Sequence, residues 1–212
     1  MPRAEVLVFP RKIFGAAFSL LPWGSVQAHI SEIESSFGWL DRPDAESSEE
    51  FVQAIACAIV KDSADNVCVF RRVKDGRADL SGKLTLIVGG HIDNLDRCDD
   101  FGDSLLINLR REIIEEIGVA ADEDIRPIGV IIDGSSVVAS RHVAFLHELT
   151  ADEVSPMATE EFARGSKLTG QFVSRIQLCS WINRFDPWSR LVIERYVCRG
   201  DVEAKARQTS FL

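Results

Sequence analysis

Close cysteine pairs, which would build a disulfide framework or a zinc ribbon, are missing from this 212-residue chain. It has five cysteines and no Cys-x-x-Cys pair. Two of the five lie in apolar runs, where cysteine is typical of a buried core. We therefore expect reduced thiols and a cytoplasmic protein. The five are Cys57, Cys68, Cys98, Cys179 and Cys198.

Long apolar runs and an excess of positive charge are also missing. No run approaches the roughly 18–20 residues of a membrane span, so we expect no membrane contact. Residues 13–23 have the outline of a secretory signal, but Glu5 and Pro10 interrupt the region before them, and we expect no signal here. The 33 acidic against 24 basic residues give a formal net charge of −9, which disfavours a nucleic-acid polymer as partner. A phosphorylated substrate would need a cation to approach so acidic a chain.

The chain divides into three predicted segments. Residues 1–50 are predicted to be an extension packed on the core, residues 51–200 the main domain, and residues 201–212 a C-terminal tail. The extension contains a predicted strand at 5–9, an amphipathic helix around 26–37 and a polar, turn-like boundary at 41–50.

Residues 51–150 alternate β-branched runs with one strongly periodic helix, which predicts an α/β or α+β domain. The region after residue 173 is predicted to be mainly helical, with a restart at Asp186-Pro187. The predicted elements are a hairpin of 52–60 and 67–72, a strand at 84–88 stopping at Gly89-Gly90, a helix at 103–117 capped by Asp103-Ser104 and ended by Gly118, and strands at 128–132 and 137–149.

Three glutamates crowd one face of the periodic helix. Glu112, Glu115 and Glu116 stand at positions i, i+3 and i+4 and therefore share about 100° of its circumference. Glutamate-rich helix faces are often only solvated surface. Here a strand ending in two glycines precedes the helix, and Gly90 can bring a bare carbonyl close to a ligand. A hard divalent cation would offset the mutual repulsion of the carboxylates.

This segment resembles the signature of the Nudix hydrolases, most closely MutT-like phosphoesterases with a lengthened loop. The resemblance covers roughly residues 51–150. It rests on Gly89-Gly90 followed by Arg111-Glu112-x-x-Glu115-Glu116-x-Gly118-Val119.

The first half of the signature departs from the common form. There a glycine and a glutamate have five residues between them, and the glutamate lies eight residues before the arginine. In this chain the residue at that distance from Arg111 is Asp103, which implies an insertion of seven residues at about 94–100. The acids of that loop do not follow the spacing of a calcium-binding loop, so we expect a solvated loop over the site. They are Asp93, Asp96, Asp99 and Asp100.

The resemblance implies an α/β/α sandwich around a mixed sheet and a Mg²⁺- or Mn²⁺-dependent enzyme. Such enzymes hydrolyse a nucleoside diphosphate linked to another group. Carried over by position, the three glutamates are metal ligands or the local base, Gly90 offers its carbonyl, and Arg111 holds a glutamate in place.

Further residues are assigned by their position alone. Arg71 or Arg72 is expected to meet a substrate phosphate, and strand alternation turns only one of them inward. His91 follows the glycines and is expected either to touch substrate or to be structural. An additional acid is expected from Glu160, Glu161 or Asp103.

Two alternatives stay open. An enzyme resembling isopentenyl-diphosphate isomerase would need a cysteine facing a glutamate and a set of metal-binding histidines. Cys98 is available, but no clear histidine set is present. A non-catalytic Nudix module that binds a nucleotide typically loses glutamates of the signature, and here all three remain. The expected partner is therefore a small phosphorylated substrate, with a homodimer as a further expectation from the family.

Overall fold

The computed structural model describes residues 4–15, 18–72, 82–119, 124–155 and 170–198. Within these ranges the chain forms a mixed sheet with helices on both sides. The strands are β1 (Glu5–Pro10), β2 (Ser19–Pro22), β3 (Gly38–Asp41), β4 (Phe51–Lys61), β5 (Val67–Arg71), β6 (Leu84–Thr85), β7 (Ile87–His91), β8 (Arg126–Ile132), β9 (His142–Thr150) and β10 (Gln171–Val173).

Five α-helices and several 3₁₀ turns connect the strands in these ranges. None of the helices combines the length and apolarity that a membrane crossing needs, in the part of the chain that is described. The α-helices are α1 (Trp23–Glu34), α2 (Arg42–Ser47), α3 (Phe101–Ile117), α4 (Arg175–Ser180) and α5 (Pro187–Val192), which continues as a π-helical turn (Ile193–Val197).

Strand β4 is the centre of the sheet. It runs parallel to β9 along nine residue pairs, from Gln53 opposite His142 to Lys61 opposite Thr150. Its other edge pairs in succession with β1 and β7, both antiparallel. Beyond β9 the sheet continues antiparallel through β8 to β2. The predicted hairpin is present, although β4 and β5 pair only at Lys61 and Val67 before they diverge.

Both faces of β4 are buried, because its side chains alternate between two apolar layers. Ala54, Ala56, Ala58 and Val60 pack with α1 and α3 on what we call the α3 face. Ile55, Cys57 and Ile59 pack with α4 and α5 on the opposite α5 face. The predicted α/β/α sandwich around a mixed sheet is confirmed.

Three strands from the first fifty residues, β1, β2 and β3, belong to this sheet. Strand β1 lies between β3 and β4, and β2 extends the far edge by pairing with β8. The prediction of a turn-like stretch at residues 41–50 is wrong, since α2 occupies most of it. Pro43 suits the first helical turn, and Asp44 complements the positive end of the helix dipole. The predicted segment boundaries remain predictions.

Two predicted strand bounds are wrong near the site. Strand β7 does not stop at the paired glycines but runs through them to His91, because both continue to pair with β4. Strand β9 begins at His142 rather than at residue 137. The intervening residues form a 3₁₀ turn, Ala139–Arg141, in which His142 donates its backbone N–H to Ala139.

The cysteine expectation is wrong in part. Cys57 and Cys68 are buried free thiols, as predicted. Cys179 of α4 and Cys198, just after the π-helical turn, form a disulfide across a sequence separation of 19 residues. Packing of α4 against the end of the α5 segment brings them together, and spacing along the chain gives no sign of that contact.

Candidate functional site

Helix α3 carries the glutamates, and acidic groups cap its N-terminus. The Asp100 side chain accepts the backbone N–H of Asp103 at 2.9 Å. Glu34 of α1 accepts the N–H groups of Phe101 and Gly102 at 3.2 and 3.4 Å. The helix therefore begins two residues before the predicted Asp103-Ser104 cap.

The other end of α3 matches the prediction, and its inner face is apolar. Gly118 ends the helix in the left-handed conformation, with φ of 66°. Leu109, Ile113 and Ile117 are fully buried against the sheet. With that stripe fixed inward, Glu112 and Glu116 face the end of β7.

Two glycines of β7 allow this close approach. A Cβ atom on Gly90 would lie 2.7 Å from Oε1 of Glu112, so any larger residue would displace that carboxylate. Gly89 has φ of +132°, and a Cβ atom there would lie 2.2 Å from the carbonyl oxygen of Ala56. Its backbone N–H donates to Oε2 of Glu116 at 2.9 Å. The glycines thus bring two glutamates onto the strand backbone.

The three carboxylates differ in exposure. Glu116 is buried, the Glu112 side chain is 15% exposed, and the Glu115 side chain is 56% exposed. Burial raises the pKa of Glu112 to about 6; Arg111 opposes that rise and Glu115 adds to it. One helix face therefore carries both a solvent-exposed acid, Glu115, and a buried one, Glu116.

Arg111 links these glutamates to the preceding loop. Its Nη1 lies 3.0 Å from Oε1 of Glu112 and 3.1 Å from Oε2 of Glu115. Its Nε and Nη2 donate to the two carboxylate oxygens of Asp96, each at 2.9 Å. The expected contact of Arg111 with a glutamate is present. Its two-point partner, however, is Asp96, which was predicted to lie in a solvated loop.

The position of Asp96 shows that the predicted placement of the insertion before Asp103 is wrong. It is buried, and five residues separate it from Gly90, which is the spacing that the common signature has for its first acid. Burial opposes its ionisation, but hydrogen bonds from Arg111, the Asp93 backbone and Asn108 outweigh that effect and lower its pKa. Asp103, the predicted counterpart, is exposed and lies about 12 Å from Arg111 along the helix axis. The extra residues thus follow Asp96.

Asn108 was not predicted as a site residue. It is fully buried, and its Nδ2 donates to the His91 carbonyl and to Oδ2 of Asp96, both at 2.8 Å. Its position three residues before Arg111, on the same helix face, was the available signal. Nothing in the sequence indicated that a strand carbonyl and a loop acid would meet there.

One relative by sequence is Protein YmaB of Bacillus subtilis (strain 168). It is 28% identical over 170 residues, which cover 78% of this chain and 81% of YmaB. No family model matches the chain.

Solved structures share the architecture. Tm1382, described as a candidate Nudix hydrolase, matches with a TM-score of 0.69 at 17% identity, covering 91% of this chain and 98% of its own. A Nudix hydrolase from Alicyclobacillus acidocaldarius matches with a TM-score of 0.53 at 17% identity, covering 69% and 91%. The MutT protein from Methanosarcina mazei Go1 matches with a TM-score of 0.51 at 18% identity, covering 73% and 99%.

The chain has the Nudix fold. The resemblance read from Arg111 and the three glutamates is thereby confirmed at the level of fold. Within the Nudix fold, this chain places those residues on α3 and the glycines on β7, where Glu116 accepts the Gly89 N–H and Glu112 lies beside Gly90.

The two strand arginines of this Nudix fold point to opposite faces. In β5, Val69 belongs to the α5-face core and Phe70 to the α3-face core. Alternation therefore puts Arg71 on the α5 face and Arg72 on the α3 face, which is the face of the glutamates. Nε of Arg71 is buried and has no hydrogen-bond partner in the described ranges. Of the two, Arg72 lies on the same side of the sheet as the acids, and its contact with a substrate phosphate remains a prediction.

His91 lies on the other side of the Nudix sheet from Glu112. It pairs with Ile55, an α5-face residue, and its ring meets that of His142 edge-on at 5.2 Å. Burial lowers its pKa to about 3, with Arg42 and His142 contributing, so the ring is neutral. Its side chain is therefore not directed at the glutamates. Glu160 and Glu161, the predicted additional acids, lie outside the described residues.

The glutamate site offers the oxygen ligands that a hard cation prefers, but its carboxylates already bind other groups of the protein. Among the described residues, no three His, Cys, Asp or Glu side chains are grouped as ligands of one metal ion. Arg111 engages Glu112 and Glu115, and Gly89 engages Glu116. Carboxylate and carbonyl oxygens are the ligands that Mg²⁺ prefers. The side chains therefore offer the oxygen ligands that a hard cation would need, with Arg111 holding two of the carboxylates in place.

Proposed function

We propose that the chain hydrolyses a diphosphate bond in a nucleoside diphosphate linked to another group, with Mg²⁺ or Mn²⁺ as cofactor. One observation carries the proposal. On a Nudix fold, Glu112 and Glu116 contact the backbone of Gly90 and Gly89, and Arg111 reaches both Glu112 and Glu115. Such an oxygen-rich cluster beside a bare strand backbone suits a cation that carries phosphate.

The residues divide the work as follows. Glu112, Glu115, Glu116 and the Gly90 carbonyl would hold the cation, and one of the glutamates accepts the proton of the attacking water. A bound divalent cation would neutralise charge on the diphosphate and make a water molecule a better nucleophile at neutral pH. Arg111, held by Asp96, keeps the carboxylates of Glu112 and Glu115 in fixed positions. Asp103 takes no part, since it is exposed and distant.

The substrate side of the proposal rests on charge. A diphosphate approaching three carboxylates is repelled unless cations stand between them. Arg72, on the same face as the glutamates, would bind a phosphate through its guanidinium. The proposed partner is thus a small phosphorylated molecule, a nucleotide derivative.

The isomerase-like alternative has little support here. Cys98 uses its backbone N–H to bond Ser104 Oγ in the loop before α3. No cluster of metal-binding histidines is present in the described ranges. The non-catalytic alternative is separated by experiment, since a nucleotide-binding module would retain binding without turnover.

The test is a hydrolysis screen with and without Mg²⁺ or Mn²⁺. The substrates are nucleoside triphosphates, nucleotide sugars, dinucleoside polyphosphates, ADP-ribose, NADH and CoA. We expect metal-dependent release of a nucleoside monophosphate from at least one of them. Glu116→Gln should keep the fold, because a glutamine oxygen still accepts the Gly89 N–H, and should abolish turnover.

The matched control is Asp103→Asn, which removes an acid from the same helix and should leave turnover unchanged. Undiminished hydrolysis by Glu116→Gln would remove that glutamate from the mechanism. Binding of nucleotides without hydrolysis of any substrate would favour the sensor module.

A further inference from the structure

Asn108 joins three parts of the site through one amide nitrogen. Nδ2 donates to the backbone carbonyl of His91 at the end of β7 and to Oδ2 of Asp96 in the loop, each at 2.8 Å. The residue itself belongs to α3. Strand, loop and helix therefore meet at a single side chain that is fully buried.

The chemistry of this junction calls for a neutral group with two N–H donors. Both partners are acceptors only, since one is a main-chain carbonyl and the other a carboxylate whose pKa is lowered. The amide must therefore turn its nitrogen toward them. A hydroxyl would supply one donor, and a carboxylate would supply none.

Stability alone does not account for an amide at this position. Its Oδ1 is buried without a hydrogen-bond partner among the described residues, which is unfavourable for a polar atom. The effect of the amide is to hold the neighbouring site residues in position. It fixes Asp96, and both oxygens of Asp96 fix Arg111. Arg111 in turn reaches Glu112 and Glu115.

We propose that Asn108 is a positioning residue for the glutamate site. Through Asp96 it orients Arg111, and through the His91 carbonyl it holds the Gly89-Gly90 backbone at a fixed distance from α3. This inference rests on the proposed function, because it assigns Asn108 to the assembly of the cation site. Partners that orient metal ligands from behind typically contribute 10–100-fold to metal affinity or activity.

The experiment compares four proteins: wild type, Asn108→Leu, Asn108→Ser and the control Ser104→Ala. Leucine has the same number and branching of side-chain heavy atoms as asparagine but no donor, and serine keeps one donor. Ser104 is also fully buried on α3 and also bonds the loop, through the Cys98 N–H and the Asp100 carbonyl. It has no hydrogen bond to Asp96, Arg111 or β7 among those described.

The first readout is Mn²⁺ binding by calorimetry or electron paramagnetic resonance, without substrate. We expect Asn108→Leu to raise the Kd for Mn²⁺ about 10–100-fold and Asn108→Ser to raise it less. Ser104→Ala should lower the unfolding temperature of the metal-free protein while leaving the Kd for Mn²⁺ unchanged. With the best substrate, Asn108→Leu should lower kcat and leave KM nearly unchanged.

The outcomes separate the two proposals. If the wild type binds no Mn²⁺, the proposed function fails and the role of Asn108 fails with it. If the wild type binds Mn²⁺ and a folded Asn108→Leu or Asn108→Ser binds it equally well, only the positioning role is overturned. A drop in Mn²⁺ affinity of the same size in Ser104→Ala would also overturn it, since general loosening of α3 would then suffice.

Discussion

Asp96 and Arg111 form a two-point ion pair between the loop and the helix, with both N–O distances at 2.9 Å. The Asp96 side chain is wholly buried and Arg111 is 21% exposed. A planar guanidinium facing a carboxylate in this way fixes direction as well as distance. The pair therefore determines where Arg111 presents its remaining nitrogen to Glu112 and Glu115.

Removing the Asp96 charge should damage the protein far more than removing the Asp103 charge. Asp96→Asn leaves the partly buried Arg111 with Glu112 and Glu115 but without its two-point carboxylate, and breaking a buried pair costs about 3 kcal/mol of unfolding free energy. Asp103→Asn removes only an exposed first-turn acid, which contributes less than about 1 kcal/mol. Urea denaturation of the two variants measures both effects. Equal losses would contradict the assignment of Asp96 as the anchor.

Alanine at the two adjacent glycines should separate folding from function. Gly90→Ala places a methyl group against the flexible end of Glu112, so the side chain moves and the fold survives. Gly89→Ala meets the Ala56 carbonyl and a backbone conformation that alanine rarely adopts, so we expect a loss of about 3 kcal/mol or more. Thermal unfolding and Mn²⁺ binding distinguish the two. A Gly90→Ala protein that binds Mn²⁺ like the wild type would exclude this glycine from the site.

The glutamate helix could be predicted because its signals are local. The apolar stripe of Leu109, Ile113 and Ile117 and the three acids all lie within a dozen residues, and helical periodicity alone orients them. Gly118 marks the end of the helix through a conformation that glycine favours. The part of the site that α3 carries could therefore be predicted from one segment of the chain.

The rest of the site depends on how the loop folds. Asp96 reaches Arg111 because a short 3₁₀ turn, Asn94–Asp96, is closed by reciprocal bonds between Asp93 and Asp96. Counting back from the arginine selects Asp103, and only the folded loop shows that counting forward from Gly90 is correct. The pairing of β1 with β4 and of Cys179 with Cys198 is equally a matter of tertiary contact.

The disulfide between Cys179 and Cys198 should stabilise the C-terminal helices. Closing a loop across 19 residues contributes about 3 kcal/mol in the chain-entropy treatment. Cys179→Ser should therefore lower the unfolding free energy by about that amount, and Cys98→Ser, at a free thiol, should not. Thiol titration in denaturant should find three free thiols before reduction and five after it. Five thiols in the unreduced protein would contradict the pairing.

Acidification should destabilise the protein through His91. Its pKa is about 3 when folded against 6.5 for an ordinary histidine, so between these values the unfolded chain binds a proton that the folded chain does not. Stability therefore rises with pH across this window and is lost as pH falls from 6.5 toward 3. His91→Leu should flatten that part of a plot of unfolding free energy against pH. His147, which is also buried with a lowered pKa, should leave a residual slope.

Gln53 offers the opposite case to Asn108. Both are fully buried, but within the described part of the chain neither amide atom of Gln53 has a hydrogen-bond partner. An unsatisfied buried polar group costs about 1–3 kcal/mol, so Gln53→Leu should raise the unfolding free energy by about that amount. Asn108→Leu, which breaks two bonds, should lower it. Chemical denaturation of the two leucine variants gives a direct comparison, and a destabilised Gln53→Leu would show that the Gln53 amide is hydrogen-bonded in solution.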